Sequence, residues 1–441
     1  MTPTLPPGPN KSIRTSMRWF REPATVMQEG YERYGDVWLL DMQRQTAFVL
    51  VNDPDLVKQV FLADPAVLRG GEANAQIGTA LMGKHSVILM DEDEHLQARK
   101  LLLPPFHGEK VERYREHVAK ACEQSLASWP LDTPIELLPR MQEITLDTIM
   151  ACVFGVSGQA LERLGARVAD LVAFSSSERN IMMMHVAGRM GRMPRSFLRV
   201  RDPFDAALFD VIAAARRDPR LDERDDVLAM LLHTTHEDGT PLSDRELRDV
   251  LVTLLMQGHM STGTALAWTL ERLTRHPQAL ERLTAEVQDG GGEEYLDAVI
   301  KEAMRVRPPV GLAMRMVKQP YDIGGYQVQP GMLLAPCIFM VHRREELYPE
   351  PEVFRPERFL EQQAGTYTWI PFGGGQRHCI GRSFAMMEIK TVLHTLAANA
   401  RLATSSAPGE AITRRGIMFS PKDGARAVLR ERVRTPSGVT A

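Results

Sequence analysis

Apolar positions recur mostly at helical spacing, and short alternating runs collect towards the two ends. Residues 17–35 read as an amphipathic helix that stops at Gly35. Val37 to Val51 alternates, with Trp38, Leu40, Phe48 and Leu50 in phase, and predicts a short hairpin. Asp53-Pro54 opens a helix to about Leu62. Residues 67–90 hold four glycines and no clear period, which predicts a long irregular segment of the kind that often binds ligands. Asp91 to Tyr114 returns to helical spacing, and its acidic start, Asp91-Glu92-Asp93-Glu94, suits the positive end of a helix.

Residues 117–174 predict helices with breaks at Trp129-Pro130 and Gly155. Residues 175–203 interleave Met182, Met183, Met184, Met190 and Met193 with Arg189, Arg192 and Arg195. That mixture suits an adaptable binding surface or ordinary core beside solvated arginines. Ser243 and Glu246 form a capping box, and a helix can run from there to His276-Pro277, about 48 Å at the helical rise. Its middle, Gln257 to Thr264, is poor in helix formers, and such an interruption predicts a groove beside a ligand. Leu296 to Val306 and Arg382 to Ala398 read as helices. Tyr321 to Met340 reads as strands turning at Gly324-Gly325 and Pro330-Gly331. Two last strands, about 411–418 and 425–430, are expected to join through Pro421-Lys422-Asp423-Gly424, with a disordered tail from Glu431.

Composition narrows the function classes. Apolar content of 44% and charged content of 25% are those of a globular protein. A net charge of −3 and a pI near 6.5 give no reason to expect nucleic acid or an anionic membrane. Cys122, Cys152, Cys337 and Cys379 lie far apart, so a reducing compartment fits better than a disulfide framework. No apolar run reaches the ~18 residues of a spanning helix, and no signal pattern opens the chain. A cytoplasmic protein without a membrane anchor is expected.

The chemistry concentrates in Phe372-Gly373-Gly374-Gly375-Gln376-Arg377-His378-Cys379-Ile380-Gly381. Glycines allow a bulky ligand close to the backbone. A cysteine at the start of a helix sits where thiolate is favoured and where freed N–H groups can reach the sulfur. One thiolate without further ligands nearby suits a heme iron better than zinc. A lone cysteine after a loop is more often a buried structural residue. A phosphate-binding loop would need Gly-Lys-Ser/Thr, which is missing.

The whole pattern, Phe-x-x-Gly-x-Arg-x-Cys-x-Gly, resembles the heme-binding signature of the cytochrome P-450 family of heme-thiolate monooxygenases. His95-x-x-x-Arg99 and the following Pro104-Pro105-Phe106-His107-Gly108 match in order and spacing, as do Glu302-x-x-Arg305 and Pro356-Glu357-Arg358-Phe359. Phe106-His107-Gly108, Trp369 to Gly375 and Pro421 to Gly424 look like a branch related to mycobacterial members, which implies a bacterial, monomeric protein.

The resemblance implies one domain over residues 1–441, mainly α with small β-sheets (α+β). It is a triangular helical prism, with heme between a long distal helix and the cysteine-loop helix. The β-rich part would be about 36–65 with 316–340 and 411–430. The helical part would be about 91–310 and 341–400. Cys379 would be the axial ligand of heme b. His95, Arg99, Arg315 and Arg377 would meet its propionates, and Phe372, Gly375 and Gly381 would shape the loop. Glu302, Arg305 and Arg358 would form a buried structural ion-pair network. The methionine-rich segment would fall in a mobile two-helix lid.

The distal helix departs from the family. Its usual Ala/Gly-Gly-x-Asp/Glu-Thr reads Gln257-Gly258-His259-Met260-Ser261 here, followed by Thr262. Met260 cannot carry a proton, and Ser261 keeps a hydroxyl without the methyl that fixes its rotamer. Gly258, Met260, Ser261 and Thr262 are therefore the candidate catalytic positions. A water-based proton route through Ser261 is the favoured explanation. Substrate-assisted protonation and peroxide-driven or rearrangement chemistry are the alternatives.

The pocket is expected from Met82, Met256, Val310, Met314, Ile417 and Met418, among other largely apolar residues. It implies a hydrophobic small molecule such as a terpenoid, fatty acid or polyketide, as in secondary metabolism. Electrons would come from a separate ferredoxin or flavodoxin with its reductase, steered by a basic face of Lys100, Lys110, Arg113, Arg377, Arg382 and Lys390. A non-catalytic heme sensor or carrier is a further alternative, disfavoured because no signalling or DNA-binding module is attached.

Overall fold

The computed structural model describes residues 4–42, 46–106, 108–155, 159–177, 179–180, 183–184, 193–290, 292–405 and 407–433. His107, Met182, Arg189, Met190 and Arg192 lie outside the described residues.

The expected first helix is two, α1 (Ile13–Arg21) and α2 (Pro23–Tyr34). Proline at the first position of α2 lacks the N–H that a continuous helix would need there. The predicted hairpin forms as β1 (Val37–Leu40) and β2 (Phe48–Val51), with Trp38 opposite Leu50. Helix α3 (Pro54–Leu62) follows, capped by Asp53. The segment read as irregular is instead β3 (Leu68–Arg69) and α4 (Gly70–Met82). Its helix start comes from a remote residue: the Asp91 carboxylate accepts the Gly71 and Glu72 N–H groups, both at 2.8 Å. A cap supplied from 20 residues away leaves no local signature.

Helices α5 (Glu92–Leu102), α6 (Arg115–Ala127), α7 (Leu137–Phe154), α8 (Gln159–Ser176), α9 (Arg195–Arg216) and α10 (Val227–Leu232) come next. The short strand β4 (Pro134–Glu136) precedes α7. Helix α11 (Asp244–Arg275) carries the predicted capping box in full, with the Ser243 N–H donating to Glu246 at 2.8 Å. It packs most extensively on α7. Gly258 and Gly263 allow that approach: a Cβ at Gly258 would lie 2.9 Å from Ile149, and one at Gly263 2.9 Å from Gln142. Helices α12 (Pro277–Asp289) and α13 (Glu294–Val306) follow, and α14 (Arg382–Asn399) is the long helix after the cysteine.

The five-stranded sheet runs β1-β2-β8-β5-β3, where β5 is Arg315–Val317 and β8 is Leu333–Pro336. Tyr321–Ile323 (β6) and Tyr326–Val328 (β7) form a small hairpin. Ile338 to Met340, read as the end of the strand run, instead belong to a helical turn, Ile338–Val341.

The C-terminal strands pair differently from the expectation. Ile412–Arg415 (β10) pairs with Met418–Pro421 (β11) around Gly416-Ile417. Arg426–Arg432 (β12) pairs instead with β4 and with Ala400–Thr404 (β9). The turn at 421–424 thus links two sheets, and Glu431 and Arg432 belong to a strand, not a disordered tail. The β10–β11 hairpin still joins the N-terminal region, since Phe419 shares a core with Trp19, Met27, Trp38 and Phe339. A mostly helical chain with four small sheets among the described residues makes this an α+β fold. Among the described residues no helix is long and apolar enough to cross a membrane.

Candidate functional site

The cysteine loop lies against α3. Gly373 and Gly375 hold φ of 71° and 66°, the left-handed region where a side chain is strained. A Cβ at Gly375 would also stand 2.0 Å from the Phe61 carbonyl oxygen. The loop closes when the Cys379 N–H donates to the Phe372 carbonyl at 3.0 Å. Helix α14 begins just after, with Gly381 at its cap, and the Gly381 N–H donates to the Cys379 sulfur. Arg382 lies over the Phe372 ring at 5.7 Å.

Burial pushes the Cys379 thiol up, while the Gly381 N–H, Arg99 and Arg382 pull the other way. Burial outweighs them, so the helix start alone does not make the thiolate that the motif suggested. Deprotonation is then coupled to metal binding.

Four basic side chains converge beside this loop. His95 of α5 is buried, and its pKa falls to about 4 through burial and the charges of Arg377, Arg99 and Arg315. It is neutral near pH 7 and can donate from one ring nitrogen. Arg99 Nη1 donates to the His378 carbonyl at 2.6 Å. Arg377 donates to Asp91 at 2.6 Å and to the Met90 carbonyl. Among the described residues, Arg315 donates only to its neighbour's carbonyl, at Met314, and lies over the Phe61 ring.

Burial and, after it, the charge of Arg377 lower the pKa of Arg315 to about 10, against the pull of Asp91. Asp91 pairs directly with Arg377, and its charge also reaches Arg315, while Arg99 makes no ion pair among the described residues. Buried like charges need counter-charges, so this donor set suits a ligand carrying two carboxylates. Cys379 is exposed by surface area yet embedded deep in the protein, so the space it faces is internal. A sulfur ligand, an internal space and surplus cations at its rim fit heme.

The distal candidates lie on α11. The predicted interruption is not a break, because the helix runs through it unbroken. Instead its side chains bond backwards to carbonyls one turn earlier. The Ser261 hydroxyl donates to Gln257 at 2.9 Å, Thr262 to Gly258 at 3.0 Å and Thr264 to Met260 at 2.8 Å. Such bonds compete with the helical N–H groups and loosen the turn. Met260 is buried in the main apolar core.

Pocket candidates divide. Met82, Met256 and Met418 are buried, Val310 bridges Met418, and Met314 packs beside Ala73, Met316 and Leu333. Ile417 stands exposed at the turn of the β10–β11 hairpin.

The ion-pair candidates meet fully. Glu302 accepts from Arg305 Nε at 2.7 Å, from Arg305 Nη2 at 2.8 Å and from Arg358 Nε at 3.1 Å, with all three residues buried. Arg305 Nη1 donates to the His342 carbonyl at 2.8 Å, and His342 Nε2 accepts the Ile370 N–H at 2.9 Å. The network therefore reaches Ile370, at the entry to the cysteine loop. His342 carried no local signal in the sequence. Asp91 was legible only as part of an acidic helix start, not as the partner of Arg377.

The basic face is half neutralised. Arg113 pairs with Asp225 at 2.7 Å, Arg377 with Asp91, and Lys390 with Glu293 at 3.2 Å and Asp297 at 3.3 Å. Lys100, Lys110 and Arg382 form no ion pair among the described residues.

The family model for Cytochrome P450 matches residues 5–424. The chain belongs to the cytochrome P450 family. Cytochrome P450 137 of Mycobacterium tuberculosis is 39% identical over 401 residues, covering 90% of this chain and 84% of the relative. Cytochrome P450 135B1 of Mycobacterium bovis is 36% identical over 436 residues, covering 97% and 91%. The retinoic acid-bound cyanobacterial CYP120A1 superposes with a TM-score of 0.85 at 21% identity, covering 98% of this chain and all of that one. The heme domain of cytochrome P450DA gives 0.83 at 23%, covering 99% of each. This P450 thus has the family's fold, and with it the heme, the cysteine thiolate ligation and the monooxygenase chemistry.

Proposed function

We propose that this P450 inserts one oxygen atom of dioxygen into a hydrophobic small molecule, with electrons from a separate ferredoxin or flavodoxin and its reductase. The observation that carries the reading is Cys379, exposed yet deep in the protein beside Arg99, with Arg315 and Arg377 gathered with Arg99 around His95. Cys379 would hold the iron of heme b, and its thiolate would supply the electron density that activates dioxygen.

Arg99, Arg315 and Arg377 would pair with the propionates, and neutral His95 would add a hydrogen bond. The Gly381 N–H would moderate the sulfur's charge, and Phe372 would shield it from solvent. Asp91 would hold Arg377 in place. Lys100, Lys110 and Arg382 would form the donor-facing surface. Buried methionines at 82, 256 and 418 favour an apolar, adaptable pocket.

Carbon monoxide binding to the reduced protein tests this reading. A strongly red-shifted absorption band is expected; an unshifted band would rule out thiolate ligation and the proposal with it.

On the distal side, Ser261 would hold the water through which protons arrive. It can donate to only one acceptor, and the Gln257 carbonyl already receives that bond. Its lone pairs therefore face incoming donors. Met260→Glu should leave the ratio of product to electrons consumed unchanged. A clear rise in that ratio would mean that the missing acid limits the enzyme. Met260 is the one observation favouring the second reading, peroxide-driven or substrate-assisted chemistry. Turnover with peroxide exceeding turnover with reductant and dioxygen would select it.

A further inference from the structure

A deep-set cation, Arg414 of β10, has no part in the chemistry above. It stands opposite Phe419 in the β10–β11 hairpin and turns towards α1, where its guanidinium lies 5.4 Å from the centre of the Phe20 ring. Its Nε–H donates to the Gly416 carbonyl at 2.8 Å, which folds the side chain over the hairpin turn. Among the described residues it forms no ion pair, and its two terminal nitrogens have no hydrogen-bond partner. Those nitrogens are not sealed off, unlike the unpartnered Nε of Arg307 and Nη1 of Arg343. Burial lowers the Arg414 pKa to about 10, and no neighbouring charge adds to that or opposes it. Arg414 is therefore a cation near pH 7 without a counter-charge. Nor is it among the charges that act on Arg315 or Arg377, so it stands apart from the group around His95.

The surroundings of this cation are apolar. Ile13, Met17 and Phe20 recur at i, i+4 and i+7 and so share one face of α1. Ile13 and Met17 are 63% and 48% exposed. Ile417, bonded to the Gly416 carbonyl that Arg414 holds, is exposed as well. The next residue, Met418, is buried and bridges Val310. Apolar side chains thus lie on both sides of the guanidinium, on α1 and at the hairpin turn. Such a patch around a polar group marks a ligand surface. A free guanidinium fork takes a carboxylate through two parallel N–H donations.

We propose that Arg414 binds a carboxylate carried by the substrate, so that the hydrophobic small molecule of this P450 is an amphiphilic acid held by its polar end at the β10–β11 turn. The two terminal nitrogens donate to the two carboxylate oxygens, while Nε keeps the Gly416 carbonyl. The apolar body of the acid packs against Ile417 and Met418. Arg414 decides which molecules are held and takes no part in the oxidation. The substrate role rests on the monooxygenase reading, whereas the acid site does not.

Isothermal titration calorimetry of the heme-loaded wild type, Arg414→Gln and Arg414→Lys tests this with dodecanoic acid, dodecanol and acetate, at a mildly alkaline pH where the acids are ionised. The wild type should bind dodecanoate at least about tenfold more tightly than dodecanol, as a hydrogen-bonded charged group requires. Arg414→Gln should weaken dodecanoate alone and bring the two affinities within about twofold, and Arg414→Lys should recover part of the preference, since lysine keeps the charge without the fork. Equal affinity of the wild type for acid and alcohol, or binding of neither, would overturn the proposal. An equal loss of both ligands in Arg414→Gln would make Arg414 a structural residue and overturn it too. Acetate binding as tightly as dodecanoate would assign the site to a free anion and overturn the substrate role. If Arg414→Gln does not fold, the wild-type comparison and Arg414→Lys still decide. None of these titrations depends on turnover. A wild type without the red-shifted carbon monoxide band would count against the monooxygenase reading and leave the acid site to the calorimetry.

Discussion

Replacing Cys379 by serine should abolish the red-shifted carbon monoxide band of the reduced protein and with it all dioxygen-dependent turnover. A hydroxyl is a far weaker donor to iron than a thiolate, so no modest geometric adjustment can compensate. The fold should survive, because the loop is held by bonds that do not involve the sulfur. The Cys379 N–H to Phe372 bond and the glycine contacts with Phe61 remain available to serine. Circular dichroism and thermal unfolding should therefore change little beside the spectral loss. Cys122, Cys152 and Cys337 are buried in apolar surroundings that push all three thiols up, Cys152 and Cys337 to about 12. Cys122→Ala should keep the band. A red-shifted band persisting in Cys379→Ser would transfer the ligand role elsewhere.

Glu302→Ala should destabilise the protein by about 3–5 kcal/mol, the range for breaking a buried ion pair. The cause is specific. Arg305 and Arg358 are buried and both take their counter-charge from Glu302. Removing it leaves two buried cations, and the Arg355 N–H loses its acceptor at 2.8 Å as well. The damage should extend to heme retention, because Arg305 supports the His342 carbonyl and His342 holds Ile370 before the cysteine loop. The yield of heme-loaded protein and the urea midpoint measure both effects. Arg113→Ala provides the contrast. Its ion pair with Asp225 is mostly exposed, and such pairs contribute about 0–1 kcal/mol. Equal losses in the two variants would contradict the buried-network account.

Local chemistry explains what could be read in advance. Ser243 and Glu246 sit three apart, so the capping box and the start of α11 were visible in four letters. Proline at 277 likewise marked its end. Elements set by distant partners were not visible. Helix α4 starts on the Asp91 carboxylate, so its sequence looks irregular. The turn at 421–424 looks like a hairpin, yet β12 finds β4 and β9 because those edges are available in space. The basic face was overread for the same reason: linear spacing does not show that Asp225, Asp91, Glu293 and Asp297 arrive opposite Arg113, Arg377 and Lys390.

The sequence by itself determined the family, the cysteine motif, the ion-pair set and the loss of an acid at Met260, because each depends on residue identity at short spacing. Only the tertiary structure decided that Arg377 takes the carboxylate of Asp91 while Arg99 and Arg315 make no ion pair among the described residues, and that Ser261, Thr262 and Thr264 bond back to carbonyls of an unbroken α11. It alone showed that His259 Nε2 and Glu388 Oε1 are buried without a hydrogen-bond partner among the described residues. Burial, counter-charge and hydrogen-bond satisfaction belong to pairs of distant residues, and those pairs exist only once the chain has folded.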